Sequence, residues 1–114
     1  MLAAEAGRRC PTIIDGIEAL AASGEKSPDR IEELRVEAHG LKGAASVVGE
    51  ERLSDLARRI EMFLAESAKS GRIKPGRAAT VVAAASAFNE GAQAAAEDVG
   101  EPKSVAQSLA ALDS

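Results

Sequence analysis

The sequence has no tryptophan or tyrosine and only two phenylalanines, Phe63 and Phe88. A core with so little aromatic volume needs helices that approach one another closely, because alanine side chains cannot fill wide gaps. The runs of β-branched and aromatic residues that are typical of strands are also missing. With 46% hydrophobic and 28% charged residues, the chain has the composition of a folded domain. The sequence therefore predicts one all-α domain over residues 1–114.

Other absences limit the classes of function. Cys10 is the only cysteine, which excludes an internal disulfide and a thiolate metal cluster, and we expect it to be an inert helix-end residue. A net charge of −4 gives no basic footprint for nucleic acid. No apolar run approaches the roughly 20 residues that span a bilayer, and residues 1–9 lack the layout of a signal peptide. We expect a cytoplasmic monomer that has no membrane or nucleic-acid partner and no bound metal or cofactor.

Four segments carry apolar residues at helical spacing. Pro11 suits the first turn of the first helix, and residues 1–9 are either helical or frayed. Ser27 is the predicted N-cap of the second helix and Pro28 its first residue, while Gly49 ends it. The third helix is predicted to stop near Ser70-Gly71. Predicted helices cover about 11–23, 28–48, 51–70 and 75–98. Gly91 weakens the fourth helix by roughly 1 kcal/mol relative to alanine unless a neighbour packs there.

These segments and their short connections favour an antiparallel up-down-up-down four-helix bundle with its core over about 11–98. Residues 99–114 form either a short extra terminal helix or a frayed tail. Arg58 and Arg59 are predicted to lie on a solvated face, with attraction of a partner as the alternative. Val48 and Ala95 lie on the predicted apolar faces of the second and fourth helices. The residues expected to be buried together are Leu34, Ala38, Leu41, Leu56, Ile60, Phe63, Val82, Ala85 and Phe88.

His39, the only histidine, lies off the apolar stripe of the second helix. Because residues three and four apart share one side of a helix, Lys42 and Gly43 lie one turn beyond it. Two glycines, Gly40 and Gly43, each cost about 1 kcal/mol relative to alanine, and close approach of a partner backbone is the simplest explanation. These surroundings suit a histidine that must be accessible to another protein and must hold an anionic group. Four residues lie within about 60° of His39 on a helical wheel, namely Arg35, Lys42, Gly43 and Ser46.

Other interpretations of this segment remain open. An exposed histidine can be merely a solvated polar residue, and a metal site would need ligands that the chain does not offer. A catalytic triad would need a nucleophile and an orienting carboxylate, and nothing obvious completes one with Ser46. Val36 and Val47 flank the glycines. They either form an apolar docking rim beside His39 or pack against a neighbouring helix.

The segment Ala38-His39-Gly40-Leu41-Lys42-Gly43 resembles the histidine-containing phosphotransfer (HPt) domain of bacterial phosphorelays. That family has the pattern His-x-Leu-Lys-Gly, a glycine that closes the helix, and a following helix whose core run ends in Leu/Ile-Glu. The resemblance covers about 13–88, and its specific part is 38–61. The further matching positions are Gly49, Leu53, Leu56, Ile60 and Glu61.

The resemblance implies that His39 is the phosphoacceptor, through the ring nitrogen farther from the backbone. It also implies that Lys42 helps to hold the phosphoryl group and that Gly43 leaves room for the partner. The expected partners are response-regulator receiver domains, which bring Mg²⁺, and a hybrid sensor histidine kinase. Nothing resembles a nucleotide-binding motif, so we expect a phosphotransfer intermediate without kinase activity of its own. The wider predicted docking surface comprises Gly40, Arg35, Ser46, Val36 and Val47.

The chain departs from the family pattern at three positions. The family commonly has a hydroxyl or larger residue where Gly40 stands, and often serines where Ala44 and Ala45 stand. Those hydroxyls can support the phosphorylated state, and Ser46 is a partial substitute. The alternative from another class is a non-catalytic helical interaction module in which His39 has no chemical role.

Overall fold

In the computed structural model, residues 1–113 are described, and they form five α-helices and no strand. The all-α prediction is therefore confirmed for these residues. None of the five helices is both long enough and apolar enough to cross a membrane. The helices are α1 (Leu2–Ser23), α2 (Pro28–Val47), α3 (Glu51–Ser70), α4 (Pro75–Ala96) and α5 (Lys103–Leu112).

The predicted signals at the ends of α2 and α3 are confirmed. Ser27 is the N-cap residue of α2 and Pro28 is its first residue, although the Ser27 side chain makes no capping hydrogen bond. Gly49 follows α2 with a φ of 76°, and Gly71 follows α3 with a φ of 82°. A side chain would strain both positions, because the left-handed region favours glycine. Helices α2 and α3 therefore end where a glycine lets the chain turn.

The predicted start of the first helix at Pro11 is wrong, since α1 is continuous from Leu2 and contains Pro11 in its interior. Proline cannot donate to the carbonyl of Gly7, four residues earlier, and this weakens the helix at that point. Burial of Leu2, Ala6 and Cys10 holds the earlier turns in place and outweighs the weakened backbone.

Cys10 is consequently a core residue and not a helix-end residue. Burial raises the pKa of its thiol to about 12. The thiol is therefore protonated near neutral pH and is a poor nucleophile, which agrees with the inert role predicted for it.

The helices α1 to α4 enclose the core. Helix α1 packs against α2 and α4, α3 packs against the same two helices, and α5 covers parts of α3 and α4. Phe63 and Val82 are only partly buried at the margin of this core. Val48 is exposed because α2 has ended at Val47, and Ala95 is exposed beside a small surface cleft. The other predicted core residues are fully buried, namely Leu34, Ala38, Leu41, Leu56, Ile60, Ala85 and Phe88.

The fifth helix extends the core beyond the predicted 11–98, because Val105 and Leu109 are buried. The prediction that Arg59 lies on a solvated face is wrong. Its side chain is 23% exposed, pairs with Asp113 and donates through Nη1 to the Leu109 carbonyl oxygen, 3.2 Å away. Arg59 thus attaches α5 to α3. Arg58 is exposed as predicted and pairs with Asp55 at 2.6 Å.

Two buried glycines allow close contact between helices. A Cβ atom on Gly91 would lie 2.7 Å from Cδ2 of Leu53 and 3.1 Å from Cγ2 of Val105, so a neighbour does pack there. A Cβ atom on Gly16 would lie 2.6 and 2.7 Å from the two δ-carbons of Leu34, which is fully buried on α2. Each glycine lowers the stability of its own helix, but the absence of a side chain lets α4 pack closely against α3 and α1 against α2.

We expect Gly16→Ala to lower the free energy of unfolding by about 1–3 kcal/mol, because the new methyl group overpacks against Leu34. The matched control is Gly7→Ala on the same helix, where a Cβ atom would have only Gln93 Nε2 at 4.0 Å. That variant should gain up to about 1 kcal/mol from helix propensity. Chemical denaturation measures both changes, and a stabilised Gly16→Ala variant would contradict the packing argument.

Candidate functional site

His39 lies on α2 with its side chain 61% exposed. Its neighbours Ala38 and Leu41 are fully buried, so the backbone at His39 is fixed by the core while the ring reaches solvent. The predicted position off the apolar stripe is therefore what the structure has. An imidazole held in this way is accessible to a second protein.

The orientation of the ring is set by Glu61 on α3. Nδ1 of His39 lies 3.1 Å from Oε2 and 3.3 Å from Oε1 of Glu61, whose side chain is only 15% exposed. An ionised carboxylate can only accept a hydrogen bond, so Nδ1 carries the hydrogen and donates it. In the neutral ring Nε2 then carries the lone pair. The contact thus selects the tautomer in which the ring nitrogen farther from the backbone is free to act as a nucleophile.

Two cationic side chains of α2 also contact Glu61. Arg35 donates through Nη1 to Oε2 at 2.8 Å, and the Lys42 ammonium lies 3.7 Å from Oε1. Arg35, His39 and Lys42 follow the i, i+4, i+7 spacing that places residues on one side of a helix. The sequence pattern included Glu61 but assigned it no role. The available signal was its place in the Leu/Ile-Glu pattern of the family, which Ile60 and Glu61 match.

The two cationic side chains beside His39 differ in how many of their hydrogen-bond donors are still available to a ligand. Arg35 is committed to Glu61 and also to Glu32, with 2.7 Å from Arg35 Nε to Glu32 Oε1. The hydrogen bond to Glu32 is the largest cause that raises the pKa of Arg35, so its guanidinium stays charged. Among residues 1–113, Lys42 has only the longer contact to Glu61. Its ammonium, with three donors, is the better placed of the two to bind an added anionic group.

The two glycines of the motif have different surroundings. A Cβ atom on Gly43 would meet nothing within 4 Å, so the helix surface one turn beyond His39 is open. A Cβ atom on Gly40 would lie 2.6 Å from the Arg9 guanidinium. Arg9 is held there by Glu37 at 3.0 Å and Glu5 at 3.2 Å. Gly40 therefore makes room for a side chain of α1, an explanation that needs no partner, and Gly43 is left as the glycine that packing does not explain.

The remaining predicted docking residues lie along the exposed side of α2. Ser46 shares a 2.7 Å hydrogen bond with Ser54 of α3, so its hydroxyl is directed to that helix. Val36 is exposed and Val47 is 86% exposed. The alternative that these valines pack against a neighbouring helix is therefore wrong. Within residues 1–113, no three histidine, cysteine, aspartate or glutamate residues are grouped so that they could hold a metal ion.

Comparison with family models gives a match that spans almost the whole chain. No curated protein and no solved structure is significantly similar to the chain. A family model described as Hpt domain matches residues 5–113, which include all but the first three residues of α1 and the whole of α2 to α5. Domains of this family perform histidine phosphotransfer in two-component phosphorelays and interact with receiver domains and histidine kinases. Because the match spans essentially the whole chain, this protein belongs to the Hpt domain family.

Proposed function

We propose that the protein is a phosphorelay intermediate that carries a phosphoryl group on Nε2 of His39 between receiver-domain aspartates. The observation that carries this proposal is the contact between His39 Nδ1 and Glu61, which leaves Nε2 as the free nitrogen of an exposed ring. Membership of the Hpt family supports the class of reaction.

The transfer needs a nucleophile and a way to balance charge. The Nε2 lone pair attacks the phosphorus of an aspartyl phosphate, and the P–O bond breaks with its electron pair on the departing carboxylate. The phosphorylated ring keeps its Nδ1 hydrogen and is positively charged, so Glu61 at 3.1 Å stabilises it. Lys42 supplies positive charge to the phosphoryl oxygens. Mg²⁺ on the partner receiver would add further transition-state stabilisation.

The arrangement of helices is the second part of the proposal. Connections of three or four residues join α1 to α2, α2 to α3 and α3 to α4. Such short connections between packed helices support an antiparallel up-down-up-down arrangement of α1 to α4 within a single domain. In that arrangement α2 and α3 present His39 and Glu61 to each other across one interface.

We infer further that the protein acts as a cytoplasmic monomer that has no kinase activity of its own and no cofactor. Its phosphoryl group would then come from the receiver domain of a hybrid sensor kinase and leave to a response regulator. Exposure of His39 and the open surface at Gly43 support transfer between separate proteins.

Incubation with a receiver domain that carries a labelled aspartyl phosphate tests the function. We expect label on this chain that is labile in acid and stable in base, as a phosphohistidine is, and no label from ATP alone. If none of a panel of phosphorylated receivers transfers label, the chain is a non-catalytic helical interaction module.

Glu61→Ala should slow transfer by about ten-fold, because the ring loses the acceptor that fixes its tautomer and orientation. Glu61→Gln should have an intermediate rate, because its amide oxygen still accepts from Nδ1 but carries no charge to balance the phosphorylated ring. Single-turnover transfer measures the rate, and the ¹⁵N shifts of the imidazole report the tautomer. Glu66→Ala is the matched control, as Glu66 is an exposed acid on the same helix. An alanine variant that matches the original protein in rate and tautomer would remove Glu61 from the mechanism.

A further inference from the structure

A cleft of about 840 Å³ lies along α3 from Arg58 to Ser70, bordered by the α3–α4 connection and the end of α5. We call it the basic cleft. Its basic residues are Arg58, Arg59, Lys69, Arg72, Lys74 and Arg77. These are six of the 14 lysines and arginines of the chain, whereas only two of its 18 acidic residues, Glu66 and Asp113, line the same space. Positive charge is therefore concentrated in this cleft, although the protein as a whole has a net charge of −4.

Part of this charge has no internal explanation. Arg58, Arg59 and Lys69 pair with acidic residues of their own surroundings. Among the residues that the structure describes, Lys74 and Arg77 have no ion pair, and their side chains make no hydrogen bond. Unpaired cations in a local excess of their own sign raise the free energy of the folded protein slightly, and an external anion would relieve that repulsion.

The floor of the basic cleft is apolar. Phe63 is only partly buried there, Met62 is largely exposed, and Leu112 of α5 closes one side. The cleft extends along α3 from Arg58 to Ser70, which is about 18 Å at the rise of an α-helix. That length exceeds what a single small anion needs and matches about three turns of a partner helix.

We propose that the basic cleft binds an acidic amphipathic helical segment of a partner protein. Apolar side chains of the segment lie on Phe63, Met62 and Leu112, and its carboxylates pair with Lys74 and Arg77. At 100° per residue, Phe63 lies about 200° around α3 from Glu61. The segment therefore binds on a different side of α3 from His39, and a partner held there leaves the imidazole accessible.

The test uses the full chain and a fluorescein-labelled peptide of about 14 residues, with leucines at helical spacing and glutamates elsewhere. We expect saturable binding that Lys74→Glu/Arg77→Glu weakens by about ten-fold or more. Arg30→Glu/Lys103→Glu changes the net charge equally at exposed positions outside the cleft, and it should weaken binding by less than about two-fold. A peptide with serines in place of the leucines should also bind about ten-fold more weakly.

Several results would overturn the proposal. Equal weakening by the two double variants would show unspecific charge attraction, and undiminished binding of the serine peptide would remove the apolar floor from recognition. Displacement of the peptide by ATP would assign the cleft to a small anion. Binding to phosphatidylglycerol vesicles in preference to the peptide would assign it to a lipid surface.

Two further measurements separate this proposal from the phosphotransfer function. In ¹⁵N spectra the peptide should shift the amides of residues 70–74, Gly76 and Arg77 and leave that of His39 unchanged, Pro75 having no amide hydrogen. The Lys74→Glu/Arg77→Glu variant should keep its helical circular dichroism and its rate of phosphoryl acceptance from a receiver. Shifts centred on His39 would place the peptide at the phosphotransfer site and contradict a separate surface.

Discussion

His39→Gln is expected to accept no phosphoryl group from a competent receiver while it unfolds at nearly the same temperature as the original protein. The amide of glutamine has no nitrogen lone pair available for attack, and the chain has no second histidine to replace it. Because the His39 side chain is 61% exposed, its loss should change the free energy of unfolding by only about 0.5 kcal/mol.

Labelling from a phosphorylated receiver measures the loss, and thermal melting by circular dichroism measures the stability. A useful control adds Gln107→His to His39→Gln, because Gln107 is an exposed position on α5 that lacks the surround of His39. That protein should stay unlabelled, which would show that exposure of an imidazole is insufficient. Label on His39→Gln itself would mean that another residue is the phosphoacceptor.

Gly43→Leu should fold normally and yet slow transfer from every receiver tested by about ten-fold or more, because its side chain occupies the approach to His39. A Cβ atom at this position meets nothing within 4 Å, so the bundle itself has room for the change. Gly43→Ala should raise the free energy of unfolding by up to about 1 kcal/mol through helix propensity. Stability and transfer should therefore change in opposite directions, as a functional glycine requires.

Gly76→Leu is the matched control for this prediction. Gly76 is also an exposed helical glycine with open space around its Cβ position, and it lies on α4. We expect its transfer rate to equal that of the original protein. Unfolding of Gly43→Leu would show that the glycine serves packing, and an unchanged transfer rate would show that receivers approach from another direction.

Local signals explain which helix ends were predictable. Pro28, Gly49 and Gly71 act through their own backbone geometry, so their effects could be read without knowing the rest of the fold. Pro11 is an equally clear local signal for the start of a helix, yet the prediction made from it was wrong because α1 begins at Leu2. Burial of the turns before it depends on their packing within the folded bundle, and that tertiary information is absent from a local pattern.

The same distinction applies to the site. His39, Lys42 and Gly43 share one helix, so their proximity follows from helical spacing alone. The contacts of Glu61 with His39 and of Arg9 with Gly40 join different helices, and they depend on how those helices are aligned. Glu61 is one of 18 acidic residues, and spacing within α2 does not indicate which of them faces His39.

The proline inside α1 has a consequence for local unfolding. Because Pro11 gives the Gly7 carbonyl no amide partner, the turns over residues 2–10 are coupled to the rest of α1 by an incomplete hydrogen-bond ladder. Such a segment can open as a unit at a lower free energy than the whole bundle. If this segment unfolded locally, Arg9 would move away from Gly40 and the side of α2 next to His39 would become exposed to solvent. Helices α2 and α3 would remain packed against each other. Local unfolding of residues 2–10 would therefore enlarge the accessible surface around His39.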